Sequence, residues 1–396
     1  MNDGTATQQQ GSGVTLANWR LPPWNTWAFQ HVPDLIPVMP IAHDPARVSG
    51  LPSAPIDLGN LKFTGPGGIP WTVARMLPET ATDGFIVLHK GRVALEWYGN
   101  GLTASDCHII FSVSKSITGV LAGILVERGQ LDPDAPVVRY IPEAAGSVYG
   151  DCTVRHVLDM TVGIAFVEDY LDTTGDFARY RAATGWNPVD NVALASNLHD
   201  FLVTLRRDEN PHGAKFHYVS PNSDMLGWIL ERAGGKPFAH LLSELIWRKI
   251  GAESNAHITV DRVGAARSAG GMCVTLRDLA RFGEMVRGFG RVGNEQIVPR
   301  RWIEDILTNG DQRAWLAQPT AARFLPAGRY RSQWYMIGNA SGAYCAIGIH
   351  GQWIYIDPAA EMVVTKLSSQ PLPLDEATDH LLLAAFDAIA EAFRRS

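Results

Sequence analysis

The sequence predicts an α+β fold in which strands from the two ends of the chain build one antiparallel sheet and a helical segment packs against it. Three observations point there: two apolar runs meet around Lys90-Gly91, helical spacing takes over at Ser112, and strand signals return only after residue 330. Strands at both ends with helices between them put the end segments in one layer and the middle segment beside it.

Residues 1–14, MNDGTATQQQGSGV, form a polar tail without Lys or Arg, and residues 20–70 are rich in Pro and Trp, as an irregular surface wrap would be. Residues 84–99 (GFIVLHKGRVALEWYG) give a hairpin, with Gly91 supplying the turn. Helical spacing over 112–129 puts Ile117, Val120, Leu121, Ile124 and Leu125 on one broad face. From Asp132 to about Val260 the pattern is mostly helical, broken by Pro and Gly as in PHGAKFHYVSPN. Strands are expected at 333–337, 346–349, 353–356 and 362–367, with Asp357-Pro358-Ala359-Ala360 turning between the last two. A helix over 375–393 closes the chain. The expected division is a tail (1–14), an α/β part from 15–110 with 262–396, and a mainly helical part (111–261), with the active site at their interface.

At 396 residues and 46% apolar, the chain has ample material for one large domain or two packed ones. A net charge of -6 leaves no basic footprint for nucleic acid or anionic membrane. The longest apolar stretch, 117–126, is about half of what a bilayer span requires. The start lacks the basic residues and apolar run of a secretory signal, so a cytosolic location is expected. Cys107, Cys152, Cys273 and Cys345 are scattered without a C-x-x-C, which in that compartment suggests free buried thiols. Neither H-E-x-x-H nor paired cysteines suggest a metal, and no organic cofactor is expected. G-x-S-x-G is absent as well.

The sharpest chemical signal is Phe111-Ser112-Val113-Ser114-Lys115-Ser116. Three residues apart, Ser112 and Lys115 share a helix face, with Cβ atoms roughly 5–6 Å apart. A serine hydroxyl is a poor nucleophile until a base takes its proton, and burial can lower a lysine pKa enough for that task. The competing explanation is a chance S-x-x-K on an ordinary helix. Ser114 and Ser116 are no rivals, since neither has a Lys three residues later. Tyr218, in FHYVSPN, offers the second titratable group that leaving-group protonation needs. Beside an ammonium its pKa is expected to fall, although a packing tyrosine would look the same. Ala346-Ile347-Gly348-Ile349-His350-Gly351 is either a plain interior strand or one whose glycines admit substrate to an N–H that, with that of Ser112, forms an oxyanion hole. His217 and His350 are expected to pack, and Asp132, Asp134, Glu168 and Asp169 to be solvated turn residues.

These elements, in this order, resemble the serine β-lactamases, penicillin-binding proteins and their esterase relatives. The likeness runs from about residue 80 to the end through GQLDPDAP (129–136), TVRHVL (153–158) and Gly270-Gly271-Met272. Within that family the chain is most similar to the 6-aminohexanoate-dimer hydrolases, through residues 111–116, Val148-Tyr149, Leu158-Asp159-Met160, Glu168-Asp169-Tyr170, Gly185-Trp186 and 347–352. The resemblance implies an acyl-enzyme serine hydrolase of short-chain esters and linear amides, with Ser112, Lys115 and Tyr218 catalytic and the N–H groups of Ser112 and Ile349 as oxyanion donors. It further implies that Tyr170, on a loop over the site, holds the scissile amide nitrogen, although composition alone favours an exposed aromatic on an acidic loop. Trp186, Arg181, Ala269, Ile347 and Trp334 are the remaining substrate-binding candidates, Arg181 and Ala269 falling where such hydrolases differ among themselves. Two departures weigh against β-lactams: Ser220 takes the third position of the Tyr-x-Asn triplet that begins at Tyr218, where Asn is usual, and apolar Ala346-Ile347 replaces the cation and hydroxyl that grip a β-lactam carboxylate. A β-lactamase, a D-amino-acid peptidase and a non-catalytic binding protein are the rival readings. The expected partner is a small ester or amide, without nucleic acid or membrane. The oligomeric state is left open, a homodimer among the options.

Overall fold

Thr82–His89 (β1) and Arg92–Tyr98 (β2) form the expected hairpin. Lys90 and Gly91 both take positive φ, 52° and 74°, the pairing that matches the twist of a tight hairpin. The computed structural model, which describes residues 13–189 and 196–395, continues this hairpin into a seven-stranded sheet. Its other strands come late in the chain: Arg329–Arg331 (β3), Trp334–Met336 (β4), Tyr344–Gly348 (β5), Gln352–Asp357 (β6) and Met362–Ser368 (β7). The order is β3-β4-β5-β6-β7-β1-β2, antiparallel throughout, so the two chain ends meet where Val363–Leu367 pair with Gly84–Leu88.

Both faces of the sheet are covered, so β1 and β7 are almost continuously buried instead of alternating. Phe85, Val87, Trp353, Tyr355 and Val364 face the C-terminal helix, Glu376–Arg395, which supplies Leu382, Phe386 and Ile389. Ile86, Leu88, Ile354 and Val363 face the other way, toward Val113–Glu127 (α1) and Leu276–Arg287. The expectation of one apolar face on α1 is too narrow. Every residue from Val113 to Leu125 is buried, because α1 runs between the sheet and Ser220–Gly234 (α2). Two glycines allow that crowding. A Cβ on Gly119 would lie 2.1 Å from the carbonyl oxygen of Ser332, and one on Gly123 would lie 2.3 Å from the Trp302 ring.

The wrap over 20–70 is less irregular than expected. Val38–Ile41 is the edge of a second sheet, next to Ala256–Thr259, then Met272–Val274, then His108–Ile109. Pro40 is tolerated because an edge strand can lack a donor. This small sheet positions the site: it ties the residues just before Ser112 to those just after Ala269, with Ile110 N–H donating to the Met272 carbonyl at 2.9 Å. All four cysteines are unpaired, three of them buried and Cys107 half-buried. Among the described residues no helix is long and apolar enough to cross a membrane. Most of the expected N-terminal tail lies outside the described residues.

Candidate active site

Ser112 stands at the N-cap of α1, 8% exposed, with φ -66° and ψ -8°. The residue before it, Phe111, has φ +41°, a conformation that a bulky side chain holds only when its surroundings fix it. Trp19, Phe29, Trp186 and His350 enclose its ring, with centroids 4.9–6.3 Å away. The chain is thereby bent so that the serine hydroxyl opens into a cleft.

Lys115, one turn on, is 1% exposed. Its ammonium donates to Ser112 Oγ at 2.8 Å, to Ser220 Oγ at 3.0 Å and to the Ala269 carbonyl at 2.7 Å. Burial lowers its pKa to about 7; Arg267 adds to the fall, whereas Glu168 and Asp224 oppose it. At neutral pH much of Lys115 is therefore uncharged and able to accept the serine proton.

Tyr218 faces the same hydroxyl, its ring 5.0 Å from Lys115 Nζ and stacked on Tyr335 at 6.2 Å. The expectation of a lowered pKa fails. Burial, and after it the charge of Glu168, push the phenol up, against hydrogen bonds with Ser112 and Tyr335 that pull it down. Tyr218 is thus a proton carrier at neutral pH and not a resting phenolate.

Glu168 also departs from expectation, since it is no solvated turn residue. It accepts the N–H of Ser220, the Ser220 hydroxyl at 2.5 Å and the Tyr170 phenol at 2.7 Å. A chain of polar contacts therefore runs from Lys115 through Ser220 to Glu168 and Tyr170. The Ala269 carbonyl is held in turn. Its N–H donates to Asp224 at 2.8 Å, and Asp224 is buried in an ion pair with Arg267 and accepts the Tyr180 hydroxyl. His350 bonds the Gln370 carbonyl at 2.7 Å, and burial lowers its pKa to about 4, so it is a neutral packing residue as expected.

Two cavities meet at Ser112, sharing Tyr170, Asp172 and Ile349. The larger, about 1250 Å³, is lined by Tyr218 and Ile347 and carries several carboxylates on its walls. The smaller, about 500 Å³, takes in Trp186, Arg181 and Ala269. Ile349 follows the last paired residue of β5, Gly348, at the junction of the two. Trp334 does not belong there. It is fully buried behind α1, its indole donating to the Ser116 carbonyl at 3.2 Å, so it supports the helix and meets no substrate. Sequence reasoning misjudged Glu168 as a solvated turn residue and missed Arg267 and Tyr335; Ser220 had been marked as a departure from the usual Asn.

Residues 74–388 match the family described as Beta-lactamase. The chain belongs to the beta-lactamase family. It is 37% identical over 360 residues to the 6-aminohexanoate-dimer hydrolase of Paenarthrobacter ureafaciens, covering 91% of this chain and 89% of that one. Esterase EstB of Burkholderia gladioli is 28% identical over 154 residues, 38% of each chain. Among solved structures, a Bacillus anthracis protein provisionally described as a 6-aminohexanoate-dimer hydrolase superposes with a TM-score of 0.89 at 28% identity, covering 97% of this chain and 98% of that one. The chain is accordingly an enzyme, a serine hydrolase of the beta-lactamase fold, and acyl-enzyme chemistry is general to its family.

Proposed function

We propose that the enzyme hydrolyses short-chain carboxylic esters and linear amides of the 6-aminohexanoate-oligomer type, with Ser112 as nucleophile. The observation that carries this reading is the 2.8 Å contact between Ser112 Oγ and a lysine whose pKa burial brings to about 7. Lys115 takes the serine proton as Oγ attacks the carbonyl carbon. The N–H groups of Ser112 and Ile349 receive the developing oxyanion, each such donor being worth roughly 3–4 kcal/mol. Tyr218, kept protonated by its surroundings, gives its proton to the leaving oxygen or nitrogen and recovers one from Lys115. Water then attacks the acyl-enzyme by the reverse route. Tyr170 would hold an amide nitrogen in line. Trp186, Arg181, Ala269 and Ile347 form the walls against which substrate lies.

The proposed division sets 15–110 with 262–396 against 111–261. It is supported by a cleft that draws Ser112, Tyr170 and Tyr218 from the middle segment and Ile347 and Ile349 from the end. Four unpaired cysteines favour a reducing compartment such as the cytosol.

The test is Ser112→Ala, assayed on p-nitrophenyl acetate and on linear 6-aminohexanoate dimer. Ester hydrolysis should fall to background with the circular-dichroism spectrum unchanged. A folded variant keeping more than a few per cent of the rate would remove Ser112 from the mechanism.

A further inference from the structure

The smaller of the two cavities at Ser112 is charged differently from the larger. Arg20, Arg181 and Arg267 all line it, and Asp172 is the one carboxylate among its lining residues. Asp172 is already engaged, accepting the N–H groups of Thr174 and Gly175 at 2.9 and 2.7 Å. Arg267 is matched by Asp224, yet its Nε is buried without a partner. Among the described residues neither Arg20 nor Arg181 makes an ion pair. Arg20 donates to the Trp186 carbonyl at 3.0 Å and to Asn187 Oδ1 at 2.5 Å, and Arg181 donates to the Tyr170 carbonyl.

A molecule does not gather cations beside one another without cost. Burial, then Arg181 and Arg267, lower the Arg20 pKa to about 9. A compensating anion would relieve that repulsion, and planar guanidinium groups suit a carboxylate.

Which end of a substrate enters follows from the proton donor. Tyr218 lines the larger cavity and is absent from the lining of the smaller one. A leaving group protonated by Tyr218 therefore departs on the larger side, and the acyl group occupies the smaller. This placement rests on the nucleophile and proton-donor roles proposed above.

We propose that the arginine-lined cavity is an anion subsite for the acyl half of the substrate, so that the enzyme prefers esters and amides of dicarboxylic acids, whose far carboxylate is free, over the ammonium-ended acyl half of a linear 6-aminohexanoate oligomer, which it cleaves more slowly. Ser112 then carries an ω-carboxyacyl group until water releases the diacid.

The experiment compares kcat/KM for three p-nitrophenyl esters of similar acyl length: the glutarate monoester, the neutral pentanoate and the cationic 5-aminopentanoate. Wild type should favour the glutarate ester over the pentanoate by about tenfold, the worth of one partly exposed charge-assisted hydrogen bond, and should disfavour the aminoacyl ester. Arg181→Gln and Arg20→Gln should bring the glutarate-to-pentanoate ratio close to one. The ratio is the readout because it cancels any general loss of activity, and half-buried Arg181 provides a variant whose folding is safer than that of Arg20. A wild-type ratio at or below one, or a ratio unchanged in both variants, overturns the subsite. Pentanoate hydrolysis surviving in Ser112→Ala would instead overturn the catalytic reading beneath it.

Discussion

At the residue scale the site turns on how a lysine is kept near neutrality. Burial is the main cause and Glu168 is the main brake, its negative charge favouring the ammonium across the Ser220 hydroxyl. Activity on esters should rise with pH as Lys115 deprotonates, giving an acid limb near pH 7 in kcat/KM. Glu168→Gln removes the anion that stabilises the charged form. The Lys115 pKa should drop and the limb should move to lower pH, measurable as a pH–rate profile on p-nitrophenyl acetate. A limb that stays put or moves up would detach Glu168 from Lys115. Tyr170 lies at the far end of the same chain of contacts, and there ester and amide chemistry should separate. An alkoxide leaves with modest help, but an amide nitrogen must be held and protonated. Tyr170→Phe should therefore lower cleavage of linear 6-aminohexanoate dimer roughly tenfold to a hundredfold more than ester cleavage, the value of one hydrogen bond in the transition state. Equal losses would make Tyr170 a packing residue. Ser112, Lys115 and Tyr218 were legible because each sits in a short motif whose chemistry is local. Glu168 and Arg20 were not, since their meaning depends on Ser220 and Arg267, which only the fold brings near.

Among the elements, the long ones were legible and the short ones were not. The β1–β2 hairpin, β6, β7 and the C-terminal helix carry enough apolar periodicity to declare themselves, and Lys90-Gly91 marks its own turn. The small sheet is built from strands of two to four residues, one with a proline, and its pairing partners lie far apart in sequence. No local pattern specifies such a sheet. Helix α1 was located correctly but its environment was misjudged, because periodicity cannot distinguish a helix with one apolar face from one buried on all sides. Its glycines held the clue. Replacing Gly119 by Ala improves helix propensity by about 1 kcal/mol. The new methyl, however, meets the Ser332 carbonyl oxygen at 2.1 Å, in a turn where Ser332 and Gln333 both have positive φ and cannot easily withdraw. Forced repacking of this kind costs about 1–3 kcal/mol, so Gly119→Ala should be net destabilising in urea titration. It should also lower kcat, since Lys115 lies one turn away on the same helix. A variant as stable as the parent would show that the β3–β4 turn gives way freely.

For the whole molecule, the layers divide the labour. Helix α1 and the small sheet fix Ser112 and Lys115 on one side of the large sheet, whereas the C-terminal helix covers the other face and reaches the site at its first turn, where Glu376 and Asp379 line the larger cavity. The anchor of this helix is Phe386, fully buried, with ring centroids 6.4 Å from Phe85, 5.8 Å from Trp353 and 5.2 Å from Tyr355. Those partners come from both ends of the chain, so this ring helps hold together the seam at which β1 and β7 pair. Truncating a buried Phe to Ala removes its transfer energy and leaves a cavity, at about 3–5 kcal/mol. Against a total stability of roughly 5–15 kcal/mol this is a large share. Phe386→Ala should therefore lower the urea midpoint and the Tm substantially. The geometry at Ser112 is set by α1 and by the small sheet, whose buried apolar residues belong to clusters other than that of Phe386, so kcat/KM at low temperature should match the parent within about twofold, well under the tenfold that 1.4 kcal/mol of transition-state energy would represent. Both quantities are needed. A variant that loses stability and keeps its rate separates the sealing layer from the catalytic one. A folded variant whose kcat/KM falls tenfold would show that strain in the outer layer passes through the sheet to the serine.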